Sequence, residues 1–305
     1  MSRDWKDFFE TWASPPSQTE LDEASQTEKQ IRSALDAWPA TAKRNFRVFV
    51  KGSNKSGTNV RRGSDIDLAV ELLGASIQSA PSFVTQKTRS AAGLADAQLG
   101  LVDAPAEYAI ARKTFKDDCV DAMVSAFGPA NVQRHNKCIA IAEKSTTLPA
   151  DVVPCTTRRR YDASDVFHDG ILIQPDNGSS IINWPVQDYE NGVSKNTATS
   201  RRYKRTVRGL KALNNRMHES GTPRAPSWLI ECLTYNAPAA CFDSPTNVVN
   251  VLSVLNWLLS ELGSTVGAGE WVEVNGLKYL FAPGQPWSVT DATAFTRNAI
   301  IELTR

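Results

Sequence analysis

Asp65 and Asp67 stand one residue apart in "DIDLAVEL", where acidic and apolar residues alternate as they do in a β-strand. On such a strand both carboxylates project from one face, about 6 to 7 Å apart, while Ile66 and Leu68 turn towards a core. Like charges held that close repel. The pair is tolerated in solvent at a strand end, or is useful where a divalent cation lies between the carboxylates, since Mg²⁺ takes carboxylate, water and phosphate oxygens.

Upstream, "FVKGSNKSGTNVRRGSDID" places Gly52 and Ser53 in a turn, with eleven residues between Ser53 and Asp65. Glycine permits close backbone approach, and serine offers a hydroxyl and an N–H, so a Gly-Ser turn suits a phosphate tail. The glycine-lysine consensus of a P-loop is absent from the chain. A third acid, Asp151, heads "ADVVPC", a β-branched run that stops at Pro154, and is the only acidic residue between Glu143 and Asp162. Three converging carboxylates would be offset by two Mg²⁺ ions, roughly 3.5 to 4 Å apart, clamping an in-line displacement at phosphorus. In that arrangement Asp65 and Asp67 hold both ions and the triphosphate. Asp151 completes the metal nearest the acceptor hydroxyl and favours its deprotonation.

The elements that must position these residues follow from periodicity. Ile31, Leu35 and Trp38 recur at helical spacing and predict a helix over 25–38, ended by Pro39. "FRVFVKG" predicts the strand before the turn, and a helix is expected over about 105–127. "KCIAIAEK" and "ADVVPC" read as strands, and "GILIQPDNGSSIINW" as a hairpin about Asn177-Gly178. Beyond residue 195, "ATSRRYKRTVRGLKALNNRM", "PSWLIECLTYNA" and "TNVVNVLSVLNWLLSEL" are helical in period and length. Between the last of these and the chain end, "EWVEVNGLKYLF" suggests a small hairpin about Asn275-Gly276.

Composition narrows the function classes. A chain of 305 residues, 41% hydrophobic and 22% charged, can bury a sizeable core and form two lobes. The formal charge of +1 lacks the basic excess expected of a protein that grips long nucleic acid. The five cysteines (Cys119, Cys138, Cys155, Cys232, Cys241) show no C-x-x-C pair, which argues for buried thiols over a zinc site. No apolar run approaches the roughly 20 residues of a membrane span, so a cytoplasmic location without a membrane partner is expected.

The motifs "GSNKSGTNVRRGSDIDLAVEL", "ADVVPC", "INWPVQDYENGVSKNTATSRRYKRTVRGLKALNN" and "APSWLIECLTYNAP" together resemble the CD-NTase family, the cGAS/DncV-like bacterial cyclic oligonucleotide synthases of the polymerase-β-like nucleotidyltransferase superfamily. The resemblance covers most of the chain. It implies an α+β fold: a nucleotidyltransferase core with a mixed sheet and N-terminal helix over 1–190, a helical C-terminal lobe over 191–305, and an active site in the cleft between them. It further implies that ATP or other NTPs are joined into a cyclic di- or trinucleotide in anti-phage (CBASS) signalling, with Mg²⁺ or Mn²⁺ as cofactor. The product would activate a downstream effector protein. By matching motif, Gly52 and Ser53 bind the donor triphosphate, and Asp65, Asp67 and Asp151 are metal ligands. Lys211 grips the triphosphate and Ser227 donates to a phosphate oxygen. Trp228 either stacks on a base or belongs to the core, and Lys204 is a second phosphate candidate. One departure is Lys51, where family members commonly have Gln before the Gly-Ser pair.

Two other readings stay open on the residues alone: a related nucleotidyltransferase that modifies RNA, a protein or a small molecule, and a nucleotide-binding protein without catalysis.

Overall fold

The computed structural model describes residues 5–60, 65–79, 106–144, 148–162, 166–264 and 267–304. Along the chain run α1 (Trp5–Trp12), α2 (Gln18–Ala37), α3 (Pro39–Ala42), β1 (Phe46–Val50), α4 (Gly52–Ser56), β2 (Ile66–Ser79), α5 (Ala106–Phe127), β3 (Val132–Arg134), β4 (Ile139–Ile141), β5 (Ala150–Tyr161), β6 (Phe167–Ile173) and β7 (Ile181–Asn183). Then follow α6 (Pro185–Ala198), α7 (Tyr203–Glu219), α8 (Ser227–Asn236), α9 (Asn247–Leu262) and α10 (Val289–Thr304). These elements form two compact units that interleave in sequence. One comprises Ser17–Gly52 and Asp65–Val186; the other comprises Met1–Pro16, Ser53–Ser64 and Gln187–Arg305.

The first unit is a mixed sheet with helices. Its strand order is β1-β2-β5-β4-β3, with β6 on β5 and β7 on β6. Among the described residues β2 and β5 are the one parallel pair, and the other pairs are antiparallel. Ile66, Leu68, Val70, Ala150 and Val152 pack with Ile31 and Leu35 of α2 and with Phe115, Cys119 and Met123 of α5. Ala69, Val153, Cys155, Ile171 and Ile173 make a second, smaller cluster. Helix α2 starts at Gln18, a full two turns before the expected residue 25, because Ser17 and Glu20 form a capping box. The Ser17 N–H donates to Glu20 Oε2 at 2.7 Å, and the Glu20 N–H to Ser17 Oγ at 3.3 Å. The hairpin expected about Asn177-Gly178 is present as β6 and β7.

The second unit is helical, with a core that includes Phe9, Tyr203, Leu210, Leu229, Leu233, Val254, Leu258 and Phe295. Helix α1 joins it through Phe9, whose ring passes so close to α7 that a Cβ on Gly209 would stand 2.8 Å from Phe9 Cδ1. The run expected to be one helix over 198–217 is broken near its start, because Ser200 and Arg201 adopt φ of 51° and 64°. Thr199 Oγ1 and Asn196 Oδ1 then accept from the Tyr203 and Lys204 N–H groups at the start of α7. The small hairpin expected about Asn275-Gly276 is present in its shortest form: one antiparallel bridge joins Val272 to Tyr279, with the Glu273 N–H donating to the Lys278 carbonyl at 2.8 Å and the Leu280 N–H to the Trp271 carbonyl at 2.7 Å. On the outer side of that bridge Asn236 takes both backbone groups of Val272, its Nδ2 donating to the carbonyl and its Oδ1 accepting from the N–H. All five cysteines are unpaired, and all but Cys138 are buried.

Asp188 of α6 fastens that helix to the 272–279 turn. Asn275 Nδ2 donates to Asp188 Oδ1 at 3.0 Å and to Glu273 Oε2 at 2.9 Å. Burial, joined by the charges of Glu273 and Glu231, pushes the Asp188 carboxyl up to about 8, against the Asn275 hydrogen bond and Lys278. The folded carboxyl therefore keeps a proton that the unfolded one, near 3.8, releases. Its favourable contribution is complete at low pH and is lost as pH rises from about 3.8 to about 8. Asp188→Asn should abolish that loss, so that the fall in thermal midpoint between about pH 5 and about pH 9 shrinks by a few degrees relative to the wild type. An unchanged profile in thermal unfolding would show that Asp188 is ionised.

Candidate active site

In the sheet unit the parallel register of β2 and β5 pairs Asp67 with Asp151. Paired residues on adjacent strands share a face, with strands about 4.8 Å apart, and Asp65 precedes Asp67 by the two residues that return to the same side. The three acids sense one another. Burial and then the Asp151 charge raise the Asp65 pKa. For Asp67 burial is again the largest cause, with Asp151 and Asp65 adding to it and Lys51 opposing. Lys51 Nζ lies 3.8 Å from Asp67 Oδ1. The residue that departs from the family's usual Gln thus places a cation at the acid face. On the other side of Asp151, the Cys138 thiol hydrogen-bonds its carboxylate and is pushed up to about 12 by burial and by that charge.

Gly52 belongs to this cluster. Its φ is +64°, and a Cβ there would meet Asp67 Oδ2 at 2.4 Å, so the turn and the carboxylate occupy adjoining space that only glycine leaves free. The expected polar loop after Gly52 is instead one turn of helix, α4. Arg61–Ser64, inside the eleven-residue spacer, lie outside the described residues.

Among the described residues no three acidic, histidine or cysteine side chains stand in an arrangement that could hold a metal ion as they are. The chemistry of the donor set nevertheless fits one. Asp65, Asp67 and Asp151 offer only carboxylate oxygens, the set preferred by Mg²⁺, and the raised pKa values of Asp65 and Asp67, caused first by burial and then by the neighbouring carboxylates, mark a cost of ionisation that a divalent cation relieves.

The remaining candidates lie in the helical unit. Ser53 opens a tight turn in which the Thr58 N–H donates to the Ser53 carbonyl at 2.9 Å. Thr58 is held from two sides: its hydroxyl donates to Glu231 Oε2 at 2.7 Å, and Lys211 Nζ donates to its carbonyl at 3.3 Å. Lys211 and Glu231 form an ion pair of 2.6 Å with side chains only 5% and 3% exposed. The Lys211 ammonium is therefore committed inside the unit. Beside it, Arg208 donates from Nε to the Ala13 carbonyl at 2.7 Å and from Nη1 to the Gly57 carbonyl. Ser227, the first residue of α8, is exposed, and Trp228 is half-buried against the helical core. Lys204 is half-buried at the start of α7 with its pKa lowered by burial. Sequence reasoning missed Thr58, Arg208 and Glu231, whose pairing needs three separate segments to meet. It also missed the ion pair of Lys51, which the residue's place beside the Gly-Ser turn could have signalled.

A mixed sheet with paired aspartates and a helical C-terminal domain defines a nucleotidyltransferase of the polymerase-β-like class. Residues 190–303 match the family model for the cGAS/DncV-like nucleotidyltransferase C-terminal helical domain. The chain is 35% identical to a cyclic dipyrimidine nucleotide synthase, CdnE, of Legionella pneumophila over 98% of each chain. It is 31% identical, over 97% of each, to a protein of the same description from Cecembia lonarensis. The solved CdnE cyclic dinucleotide synthase of Elizabethkingia meningoseptica with GTP and Apcpp superposes with a TM-score of 0.78 at 28% identity, covering 98% of this chain and 99% of that one. The Rhodothermus marinus CdnE c-UMP-AMP synthase gives 0.76 at 30%, over 98% and 96%. The chain belongs to the cGAS/DncV-like nucleotidyltransferase family.

Two substitutions probe this geometry. Gly52→Ala should drive the Asp67 carboxylate from its place and lower nucleotidyl transfer on the order of 100-fold, while costing about 1 kcal/mol of stability for the strained φ; steady-state rates beside a thermal melt separate the two. Glu231→Ala strands a buried ammonium and should cost about 3 to 5 kcal/mol in denaturant unfolding, most of it regained when Lys211→Met is added. Equal stability of the single and double variants would show that the pair is not coupled.

Proposed function

We propose that this protein joins nucleoside triphosphates into a cyclic dinucleotide second messenger. The carrying observation is the Asp67–Asp151 register on parallel strands, with Asp65 on the same face and Gly52 against Asp67. Relatives at 30 to 35% identity support the ring of two: they are described as synthases of cyclic dipyrimidine, cyclic dipurine and cyclic UMP-AMP products. In each of two transfers a ribose hydroxyl attacks the α-phosphorus of a triphosphate, the bond to the bridging oxygen breaks, and pyrophosphate leaves. The second transfer closes the ring.

Asp65, Asp67 and Asp151 are the residues that would hold divalent cations, two Mg²⁺ with Mn²⁺ as substitute, and such ions when bound offset the charge developing around phosphorus. Asp151, paired across the ladder with Asp67, is positioned to favour loss of the acceptor hydroxyl proton. The Gly52-Ser53 turn gives the donor tail a hydroxyl and an N–H without a Cβ in the way. Lys211 contributes by holding Thr58 together with Glu231, so that the turn keeps its shape. Ser227 donates to a phosphate oxygen, Lys204 adds charge, and Trp228 offers its exposed edge to a base. We place the reaction in the cytoplasm, in anti-phage (CBASS) signalling through a downstream effector protein activated by the product. Long nucleic acid is not a partner in this reading, given the net charge of +1. Among the described residues no helix is long and apolar enough to cross a membrane.

Incubation of the purified protein with labelled NTPs, singly and in pairs, with Mg²⁺ or Mn²⁺, is expected to yield a phosphatase-resistant product whose mass is that of a cyclic dinucleotide. Asp65→Asn with Asp67→Asn should abolish it without lowering the thermal midpoint, since two repelling charges are removed. A tailed polymer, or activity that survives the double substitution, would overturn the proposal.

A further inference from the structure

In the sheet unit the β1–β2 ladder sets a cation opposite an acid at two places on one face. Arg47 pairs with Glu71 in the register. Four residues on, the Lys51 N–H donates to the Asp67 carbonyl at 2.9 Å, which carries the same register one step past β1. Side chains at 47, 49 and 51 return to one side, with Phe49 between the two cations. Opposite charges facing each other across strands attract, and how firmly they hold depends on burial and on the partners around them.

The two pairs are built differently. Arg47 Nε stands 2.6 Å from Glu71 Oε2, the Glu71 side chain is only 1% exposed, and the Thr157 hydroxyl donates to its other oxygen at 2.6 Å. That carboxylate is closed. Lys51 Nζ stops 3.8 Å from Asp67 Oδ1, and the Asp67 side chain is 37% exposed. On the β5 side, where a hydroxyl serves Glu71, the residue paired with Asp67 is another acid, Asp151. A charge-assisted hydrogen bond spans about 2.7 to 2.9 Å, so the Lys51 contact is the looser of the two. Its ammonium is a compact point charge on a flexible stem, whereas the Arg47 guanidinium is a planar fork.

We propose that Lys51 is a displaceable counter-cation of the acid face, an internal competitor that a divalent ion must dislodge from Asp67, so that this one residue sets the Mg²⁺ concentration at which the face is filled. This rests on the nucleotidyltransferase reading above and adds to it what regulates metal occupancy. An ion bound at about 2.1 Å to the same carboxylate oxygen would lie no more than about 6 Å from the ammonium, where charges of +2 and +1 repel. Either the ammonium turns away or the ion is held more weakly. The Arg47–Glu71 pair, locked by Thr157, offers no such exchange and keeps the ladder in register while it happens.

The test is titration of the full chain with Mn²⁺ in the absence of nucleotide, free Mn²⁺ being read by electron paramagnetic resonance. Lys51→Gln and Lys51→Met, one polar and one apolar, should each bind Mn²⁺ about tenfold tighter than the wild type, because both remove the charge. Lys51→Arg, which keeps it, should bind no tighter. Without a divalent ion the Lys51→Gln thermal midpoint should fall, and the rise on adding Mn²⁺ should exceed that of the wild type. Wild-type or weaker Mn²⁺ affinity in folded Lys51→Gln or Lys51→Met, or tightening by Lys51→Arg, would overturn the counter-cation. Asp65→Asn with Asp67→Asn should lose Mn²⁺ binding in each of these backgrounds. Retained binding there would remove the acid face as the metal site and the proposed function with it, whereas binding that needs the acids but ignores Lys51 would remove the counter-cation alone.

Discussion

Aligning Asp67 with Asp151 puts two carboxylates on neighbouring strands, and Asp65 adds a third, so the strand pair at the centre of the sheet carries a conflict of like charge. What keeps the register in spite of it lies on the opposite face. Ile66, Leu68, Ala150 and Val152 are fully or nearly fully buried against α2 and α5. A slip by one residue would turn that whole apolar row to the other side of the sheet. Ile66, Leu68 and Val152 each contribute roughly 1.5 to 3 kcal/mol when buried, which outweighs the mutual repulsion of partly solvated acids. Hydrophobic packing thus stores an electrostatic imbalance on the acid face, and the Lys51 ammonium, at 3.8 Å, offsets only part of it.

The helical unit solves a different problem: the segment from Ser53 onward has to hold a shape without a strand or a long helix. It does so with buried polar contacts. Arg208 donates to the Gly57 carbonyl and Lys211 to the Thr58 carbonyl, while Lys211 and the Thr58 hydroxyl both donate to Glu231. Such contacts are costly to assemble in an apolar interior and more costly to break, because each partner left alone is a desolvated charge. That asymmetry favours one conformation of the turn over many.

The strands that carry the acids were legible because their alternation was strong and their β-branched residues dense. So was the D-x-D pair, whose spacing alone sets both carboxylates on one face. Helix α1 also carries a signal in the sequence: Trp5, Phe8, Phe9 and Trp12 fall at helical spacing, and Phe9 is fully buried. The S-x-x-E at Ser17 and the similar Ser288-to-Asp291 contact that opens α10 were likewise present in the sequence. Other features had no local signature. The break between α6 and α7 rests on positive φ at a serine and an arginine, residues that do not announce it. The small hairpin about Asn275-Gly276 was legible from its turn pair, whereas the distant Asn236 that takes the outward Val272 backbone groups was not. The assignment of Met1–Pro16 and Ser53–Ser64 to the helical unit depends on Phe9 and Thr58 meeting partners about two hundred residues away in sequence.

Relatives of similar identity are described as making dipyrimidine, dipurine and mixed rings, so resemblance over the whole chain does not fix the bases. The proposed roles offer a reason: in that reaction the carboxylates, the Gly-Ser turn and the ammonium groups would meet phosphate and ribose oxygens, which are the same in every NTP and do not distinguish a purine edge from a pyrimidine edge. Base choice requires hydrogen-bond donors and acceptors aimed at that edge, and a few side-chain changes alter it without disturbing the acid face. A fold whose core energetics are spent on register and on the shape of one turn can therefore keep its phosphoryl chemistry while the recognised base varies.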